Sequence, residues 1–199
     1  PFTTHHNALD VDLYLRIADE LYLKRLIVGV FEGVYEISKN FRNEGMDKTH
    51  NPEFTSMEIY VAYKDYLWMM DLTEDLVRSI AATVGATTIQ TADGSTTIDF
   101  SKPFVRASMF SLLEQYTGKP LRGLSREQLV QAARELKVEH DPQWSAMKLL
   151  DEIFSEKVEP HLIQPTFVTD HPVEMSPLAK AHRSEEGLVE RFELYVNGK

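Results

Sequence analysis

The chain has 199 residues, of which 43% are hydrophobic and 26% are charged, as is ordinary for a globular protein. Its 31 acidic and 21 basic side chains give a net charge of −10, so the surface as a whole repels phosphate backbones and does not indicate a nucleic-acid binder. The absence of cysteine excludes a disulfide framework and a thiolate metal site. No apolar run is long enough to span a bilayer, and we expect a cytoplasmic protein without membrane contact.

The first third of the chain contains three predicted strands and one helix. The stretch "ALDVDLYLRI" alternates apolar residues over 9–17 and predicts a strand. The next stretch, "ADELYLKRLIVG", predicts a helix that is closed by Gly29. Two further strands are predicted over 34–41 and 55–63, with a loop rich in ionisable residues between them. This order indicates a long hairpin that follows the helix.

The side chains of the second hairpin strand divide between two faces. A period of two places Glu58 and Tyr60 on one face and the apolar Met57 and Ile59 on the other. After this strand, residues 65–84 have the spacing of an amphipathic helix. The stretch "TTIQTADGSTTIDF" then predicts a second hairpin, which turns at its Asp-Gly pair.

The rest of the chain is predicted to be mostly helical until a final strand. Three amphipathic pieces are "RASMFSLLEQYTG", "SREQLVQAARELKV" and "WSAMKLLDEIFSEKVEPHL", and the middle one starts with Ser125 and Gln128 in a capping-box pattern. The closing stretch "GLVERFELYV" predicts a strand. The order of elements predicts an α+β fold, with an antiparallel sheet flanked by helices and a helical insertion. We expect core segments at 1–103 and 161–199 around an insertion at 104–160.

The long hairpin concentrates ionisable side chains on one face. If the first strand stays regular into the loop, this face carries Glu36, Ser38, Asn40, Arg42 and Glu44. Arginine offers a planar charged fork that suits a carboxylate or phosphate, and glutamate can hold an ammonium group or a metal ion. The hairpin therefore fits a pocket for a zwitterionic or phosphorylated ligand.

An alternative interpretation is that these charges pair with one another on a solvated surface. Each such pair contributes at most about 1 kcal/mol to stability. Glu20 has a similar explanation, because Lys24 lies four residues further along the predicted helix and can form a routine surface pair with it. Composition and spacing leave both interpretations open.

Three blocks of the sequence resemble a known family. The block "FRNEGMDKTHNPEFTSMEIYVAYKDY" resembles motif 2 of class II aminoacyl-tRNA synthetases, in particular of the lysyl-tRNA synthetase family. The block "PFTTHHNALDVDLYLRIADELYLKRLIVG" resembles the segment before motif 2, and "HLIQPTFVTDHPVEMSPLAKAHRSEEGLVERFELYV" resembles the segment that leads toward motif 3. The resemblance implies a partial synthetase catalytic domain, and it favours the pocket over the solvated hairpin.

The resemblance implies an ATP site in the hairpin loop. Arg42 matches the arginine that bridges the substrate carboxylate and the α-phosphate of ATP, and is the expected catalytic residue. Glu44 matches the glutamate near the adenine amino group. His50 and Asn51 match loop positions close to the nucleotide, and Phe54 matches the aromatic residue on which adenine stacks.

The resemblance also implies a lysine site and a magnesium ligand. Glu20 matches the acid that holds the lysine α-amino group, while Glu58 and Tyr60 match the pair that reaches the side-chain ammonium. Arg42 would hold the lysine carboxylate. Glu193 matches a ligand of Mg²⁺, a hard cation that also binds phosphates. The implied reaction joins lysine and ATP to lysyl-adenylate and then transfers lysine to tRNA(Lys), in an enzyme expected to be a homodimer.

Several features separate this chain from the family pattern or from its relatives. The family commonly has glycine where Val30 stands, and arginine where Gly33 stands. Motif 1 and the anticodon-binding barrel are expected before Pro1, and motif 3 after Lys199, so we expect the isolated chain to be inactive.

A paralogue that lysylates proteins tends to have the order Arg-Asn-Gly-Glu instead of "RNEG". Aspartyl and asparaginyl relatives should lack an acid at Glu58. A non-catalytic binding or regulatory fragment stays open.

Overall fold

A computed structural model describes residues 1–199 and confirms the predicted α+β class. The chain divides into two units, Pro1–Lys64 and Asp65–Lys199. The segments expected at 1–103, 104–160 and 161–199 stay a prediction.

The first unit opens with a short hairpin where one strand was predicted. Strands β1 (Thr3–His6) and β2 (Val11–Tyr14) pair antiparallel, with His6 opposite Val11. The predicted strand over 9–17 is therefore wrong in extent. Asp10 has a φ of +53°, a left-handed conformation that aspartate tolerates in turns and that interrupts a strand.

Helix α1 (Glu20–Val28) confirms the helix predicted next to this hairpin. Its apolar face buries Leu23, and the backbone N–H of Gly29 closes its last turn by donating to the carbonyl oxygen of Arg25. Asp19 immediately precedes the helix but its side chain makes no capping hydrogen bond. The residue after Gly29 is Val30, which has a φ of +65°.

The long hairpin consists of β3 (Gly33–Phe41) and β4 (Glu53–Val61), as predicted to within two residues at each end. The strands pair antiparallel with Glu36 directly opposite Glu58. The predicted division into two faces is confirmed, and the polar face is the covered one. Asn40 is buried and Ser38 is half-buried, whereas Ile37 on the other face is 64% exposed.

The second unit starts with a helix and a small hairpin, both predicted. Helix α2 (Tyr66–Thr83) is capped by the side chain of Asp65, which accepts from the backbone N–H of Trp68. Strands β5 (Thr88–Gln90) and β6 (Thr97–Asp99) pair antiparallel across the predicted Asp-Gly turn.

The last sheet contains a strand that the sequence pattern did not indicate. Strand β7 (Val105–Ser108) occupies the start of the first predicted amphipathic piece and pairs parallel with β8 (Thr166–Thr169). Strand β9 (Phe192–Tyr195), which was predicted, completes the sheet antiparallel to β8. The helical prediction for 106–108 was wrong because the partner strand is far along the chain, where local spacing carries no information about it.

The chain segment that connects β7 to β8 contains three helices, which pack on one another. They are α3 (Met109–Thr117), α4 (Arg126–Glu135) and α5 (Ala146–Lys157), and the capping box predicted at the start of α4 is present. Short 3-10 turns at Glu159–His161 and Val173–Met175 flank β8. Seven leucines and alanines of these helices are buried in one core: Leu112, Leu113, Leu129, Ala132, Ala133, Leu149 and Leu150. None of the helices is both long enough and apolar enough to cross a membrane.

Candidate active site

The chain between β2 and α1 lies along the end of the long hairpin. The backbone N–H of Phe41 donates to the carbonyl oxygen of Arg16 at 2.7 Å, and Nε of Arg42 donates to the carbonyl oxygen of Ile17 at 3.2 Å. The backbone N–H of Asp19 donates to Oε1 of Glu58 at 3.1 Å. Residues 16–20 are thereby fixed against both strands, which brings the first turn of α1 to the polar face of the hairpin.

A buried carboxylate lies beneath this face. Asp19 is fully buried and accepts hydrogen bonds from Nη1 of Arg16 at 2.5 Å and from the hydroxyl of Ser38. Asn40 donates to Asp19 at 3.5 Å and to Oγ of Ser56 at 2.6 Å. Burial alone would raise the pKa of Asp19, but the hydrogen bonds from Ser38, Arg16 and Asn40 outweigh it and lower this pKa below its usual value.

Arg16 joins this carboxylate to the hairpin. Its Nη1 also binds the carboxylate of Glu36, so a single guanidinium lies between two acids. The hydrogen bonds to Glu36 and Asp19 raise the pKa of Arg16, which stays charged at any physiological pH. Because Glu36 pairs directly with Glu58 across the strands, this cation offsets the repulsion between two facing acids.

The acid predicted for the lysine ammonium is held in place from two sides. Glu58 accepts from the backbone N–H of Asp19 through one oxygen and from the hydroxyl of Tyr60 through the other, at 2.8 Å. Burial and the hydrogen bond to Glu58 raise the pKa of Tyr60 above its usual range, and the nearby charge of Glu20 acts in the same direction. The three residues predicted to bind the lysine amino groups therefore lie close together.

Glu20 also forms the surface ion pair with Lys24 that the helical spacing predicted. Nζ of Lys24 binds the carboxylate of Glu20 and lies 5.8 Å from the centre of the Tyr60 ring. Both side chains of this ion pair are more than half exposed, so the pair can separate at little cost. The contact shows that Glu20 and Tyr60 together accommodate a primary ammonium group.

The five residues predicted to bind ATP line one cavity. It has a volume of about 340 Å³ and lies at the loop between β3 and β4, with these five on its wall: Arg42, Glu44, His50, Asn51 and Phe54. The guanidinium of Arg42 lies over the Phe54 ring, 5.1 Å from its centre, in a cation–π contact. Arg42 and Glu44 also line a neighbouring cavity with Ile17 and Ala18, on the side of the residues before α1.

The loop beside this cavity is ordered by one aspartate. Oδ1 of Asp47 accepts from the backbone N–H groups of Thr49 and His50 at 2.7 and 2.8 Å. Nδ1 of His50 lies 2.9 Å from Oδ2 of the same carboxylate. These contacts, led by the backbone N–H of Thr49, lower the pKa of Asp47 below its usual range.

Glu193 belongs to the second unit and lies on β9. Its oxygens accept from the guanidinium of Arg191 and, at 2.9 Å, from the hydroxyl of Tyr195. It lines a cavity of about 370 Å³ that also contains His171, whose Nε2 is 3.9 Å from Glu193. Burial, assisted by the positive charge of Arg191, lowers the pKa of His171 to about 4, so this ring is neutral at pH 7.

Glu193 could bind a metal ion only if ligands from outside the protein completed the coordination shell. No group of three or more acidic or histidine side chains in residues 1–199 could hold a metal ion. Mg²⁺ is commonly bound through one or two carboxylates while phosphates and water supply the remaining ligands. Glu193 fits that role as a single ligand, provided that Arg191 or Tyr195 releases one of its oxygens.

Sequence reasoning did not select Arg16, Asp19, Ser38 or Asn40 as a connected group. Ser38 and Asn40 were placed on the correct face, but Asp19 was predicted to lie inside the helix, within "ADELYLKRLIVG", and was given no role in a site. The one signal for the network was the strand period that aligned Glu36 and Ser38 with Asn40. The chain segment that brings Arg16 to this face has no periodic pattern, so local spacing could not reveal the contact.

Comparison with known proteins gives consistent matches over the whole chain. The family described as tRNA synthetases class II (D, K and N) matches residues 1–199. A lysine–tRNA ligase of Porphyromonas gingivalis is 59% identical over 199 residues, and one of Christiangramia forsetii is 60% identical over 199 residues. All of this chain is covered in both cases, but it spans 34% of the first relative's length and 35% of the second's.

Proposed function

Because the chain belongs to the class II tRNA synthetases of the aspartate, lysine and asparagine group, we propose that it is the catalytic-domain part of a lysine–tRNA ligase. The observation that carries the proposal is the single cavity lined by Arg42, Glu44, His50, Asn51 and Phe54. These are the residues that the sequence resemblance assigns to ATP. The similarity to two lysine–tRNA ligases supports the choice of amino acid.

Lysine is recognised by its two ammonium groups. Glu58 and Tyr60 bind the side-chain ammonium, and Glu20 binds the α-amino group after it separates from Lys24. An ammonium that loses its water needs a carboxylate partner, and a neutral side chain at the same place would leave Glu58 without one. Selectivity for lysine therefore depends on the charge of Glu58.

Arg42 brings the reacting groups together. Its guanidinium is permanently charged and can bind the carboxylate of lysine and the α-phosphate of ATP at the same time. It reduces their mutual repulsion while a carboxylate oxygen attacks the α-phosphorus and pyrophosphate leaves. The terminal hydroxyl of tRNA(Lys) then attacks the lysyl carbonyl carbon, and AMP leaves. Phe54 stacks on adenine once the Arg42 guanidinium moves from the ring face.

Glu193 is the residue of this chain proposed to bind magnesium. Mg²⁺ neutralises part of the charge on the ATP phosphates when it is bound. Glu193 would contribute one of its two carboxylate oxygens. The Arg191 guanidinium now donates to Oε1 and the Tyr195 hydroxyl to Oε2. We expect the intact protein to be a cytoplasmic homodimer, which analytical ultracentrifugation and cell fractionation would check.

The proposal is tested by lysine-dependent exchange of pyrophosphate into ATP, measured on the intact protein that contains this chain. We expect exchange with lysine and not with aspartate or asparagine. Glu58→Gln should lower kcat/KM for lysine by roughly 30-fold or more, because removing one partner of a desolvated charge pair costs about 2–5 kcal/mol.

Glu53→Gln is the matched control for this experiment. Glu53 lies on the same strand as Glu58 but on the opposite face, in an exposed pair with Lys39, so its loss should leave exchange unchanged. A folded intact protein that supports no exchange with any amino acid would contradict the proposal and favour a non-catalytic binding or regulatory role. Exchange with lysine but transfer only to a protein, not to tRNA(Lys), would indicate the protein-lysylating paralogue.

A further inference from the structure

Asp47 lies beside the nucleotide cavity and has no role in the proposed function. It is in the loop between β3 and β4 and is not one of the residues on the cavity wall. Thr49 and His50, which follow it, are both on that wall. Asp47 is therefore placed to act on a nucleotide through its neighbours and not by direct contact.

The carboxylate of Asp47 fixes both the backbone and the ring of His50. Oδ1 accepts from the backbone N–H of Thr49 at 2.7 Å, the hydroxyl of Thr49 at 3.0 Å and the backbone N–H of His50 at 2.8 Å. Both carboxylate oxygens lie within 3.0 Å of Nδ1 of His50. In return, the backbone N–H of Asp47 donates to the carbonyl oxygen of His50 at 3.1 Å, which closes the turn.

These contacts define which ring nitrogen is available to a ligand. An ionised carboxylate can only accept hydrogen bonds, so Nδ1 of His50 carries the proton that it shares with Asp47. Nε2, on the other side of the ring, makes no hydrogen bond to the protein. When the ring carries both protons, Nε2–H can donate to a phosphate oxygen.

We propose that Asp47 is a positioning residue for the phosphates of ATP, because it holds the His50 ring with Nδ1 inward and leaves Nε2–H of the doubly protonated ring free to donate to a phosphate oxygen. This inference rests on the proposed function for the identity of the nucleotide. Asp47 fixes in advance a rotamer that an exposed histidine in a loop would otherwise have to adopt on binding, so its loss weakens binding of ATP and leaves lysine binding unchanged.

The test is a double-mutant cycle between Asp47 and His50 in the intact protein. The variants are Asp47→Ala, His50→Ala and the double variant, and each is measured for KM of ATP, KM of lysine, kcat of exchange, and the Kd of ATP by titration calorimetry. Asp47→Ala should raise KM and Kd for ATP by about threefold to tenfold, the scale of one charge-assisted hydrogen bond near solvent. The KM for lysine and kcat should change by less than about twofold.

The His50→Ala background separates positioning from a general effect on the loop. If Asp47 acts through the His50 ring, Asp47→Ala has no further effect on ATP binding once that ring is gone. An equal loss in both backgrounds, or no loss in either, would overturn the inference. Asp47→Asn, which keeps an acceptor for the two backbone N–H groups, is measured in parallel and should recover part of the affinity.

Asp93 provides a matched control in the second unit. Its carboxylate accepts from the hydroxyl of Thr91 at 2.6 Å and from the backbone N–H of Ser95 at 3.1 Å, in the turn between β5 and β6. Asp93→Ala therefore removes the same kind of turn-stabilising hydrogen bonds and should leave the KM and Kd for ATP unchanged. If wild-type protein binds ATP but supports no lysine-dependent exchange, the proposed function fails, and the calorimetric cycle still decides the role of Asp47.

Discussion

Asp19 connects three parts of the first unit through one buried side chain and its backbone. Its carboxylate binds Arg16 and Ser38, and its backbone N–H binds Glu58. A buried charge that loses its partners is costly, whereas one that is fully hydrogen-bonded holds its surroundings in a single arrangement. Asp19 therefore links the stability of the hairpin to the orientation of the acid proposed to select lysine.

We expect Asp19→Asn to lower the free energy of unfolding by about 2 kcal/mol at pH 7, the scale of a hydrogen bond to a charged group. The pKa of Asp19 is lower in the folded protein than its usual value, so the carboxylate stabilises the fold above about pH 4 and this contribution is lost as the pH falls through the folded pKa. The difference between wild type and variant should therefore shrink between pH 7 and pH 3.5 in urea unfolding.

Asp75→Asn is the control for this prediction, because Asp75 is an exposed aspartate on α2. Its substitution should change the free energy of unfolding by less than about 0.5 kcal/mol at either pH. A constant difference between wild type and Asp19→Asn across the pH range would contradict an ionised Asp19.

The site residues that the sequence predicted are those with side chains in a recognisable local pattern. The strand period places Glu58 and Tyr60 on one face, and the family resemblance implies their role. The roles of Arg42, Glu44 and His50 are likewise implied by their place in the motif. Asp19 could not be selected in this way, because its function depends on Ser38, which is on a different element. The contacts that orient a site are mostly long-range, and a single sequence does not record them.

At the scale of elements, the connection between α1 and β3 contains a strained residue. Val30 has a φ of +65° and is 90% exposed. A left-handed conformation costs a residue with a Cβ about 1–2 kcal/mol, and a β-branched side chain makes it rarer still. The glycine that the family commonly has at this place would adopt the same conformation without that cost. At Gly33, by contrast, an added Cβ would meet only ordinary contacts at 3.7 Å or more.

Val30→Gly should raise the free energy of unfolding by about 1 kcal/mol. This is the strain energy relieved in the folded protein minus the cost of the greater conformational entropy that glycine gives the unfolded chain. Val28→Gly is the matched control, because Val28 is also exposed but is the last residue of α1 and is not left-handed. Its replacement should lower stability by a few tenths to about 1 kcal/mol. Thermal unfolding of the two variants would contradict the prediction if both shift the midpoint in the same direction.

Elements with strong local signals were predicted correctly, and those that depend on distant partners were not. The capping box of α4 and the turn between β5 and β6 are encoded in a few neighbouring residues. Strand β7 contains Arg106 and Ala107, which are good helix formers, and it becomes a strand because β8 lies beside it. The turn before β2 was missed because the alternation of apolar residues continues through Asp10 without a break.

At the scale of the whole molecule, the two units differ in how much core each contains. Leu23 is the only buried hydrophobic residue of the first unit, whereas the second unit buries the cores around α3, α4 and α5 and around Phe167. The long hairpin of the first unit leaves Tyr35, Ile37 and Met57 exposed on one face. A two-stranded hairpin with so little cover is marginally stable by itself.

Hydrogen exchange should reveal this difference in the 199-residue chain. We expect the backbone amides of β3 and β4 to exchange at least about tenfold faster than those of α4 and α5, because local opening of the hairpin exposes little apolar surface. Mass spectrometry of peptides from both units would measure the rates. Equal protection in β4 and α5 would show that the first unit is held by interactions as strong as those of the helical core.

The direct pairing of Glu36 with Glu58 also determines where the first unit tolerates insertions and deletions. A single-residue insertion within β4, ahead of Glu58, would turn Glu58 and Tyr60 to the opposite face and leave an apolar residue in their place. An insertion in the loop at 43–52 would leave the pairing unchanged. The register therefore tolerates a change of length in the loop at 43–52, whereas strand β4 tolerates substitution but not insertion ahead of Glu58.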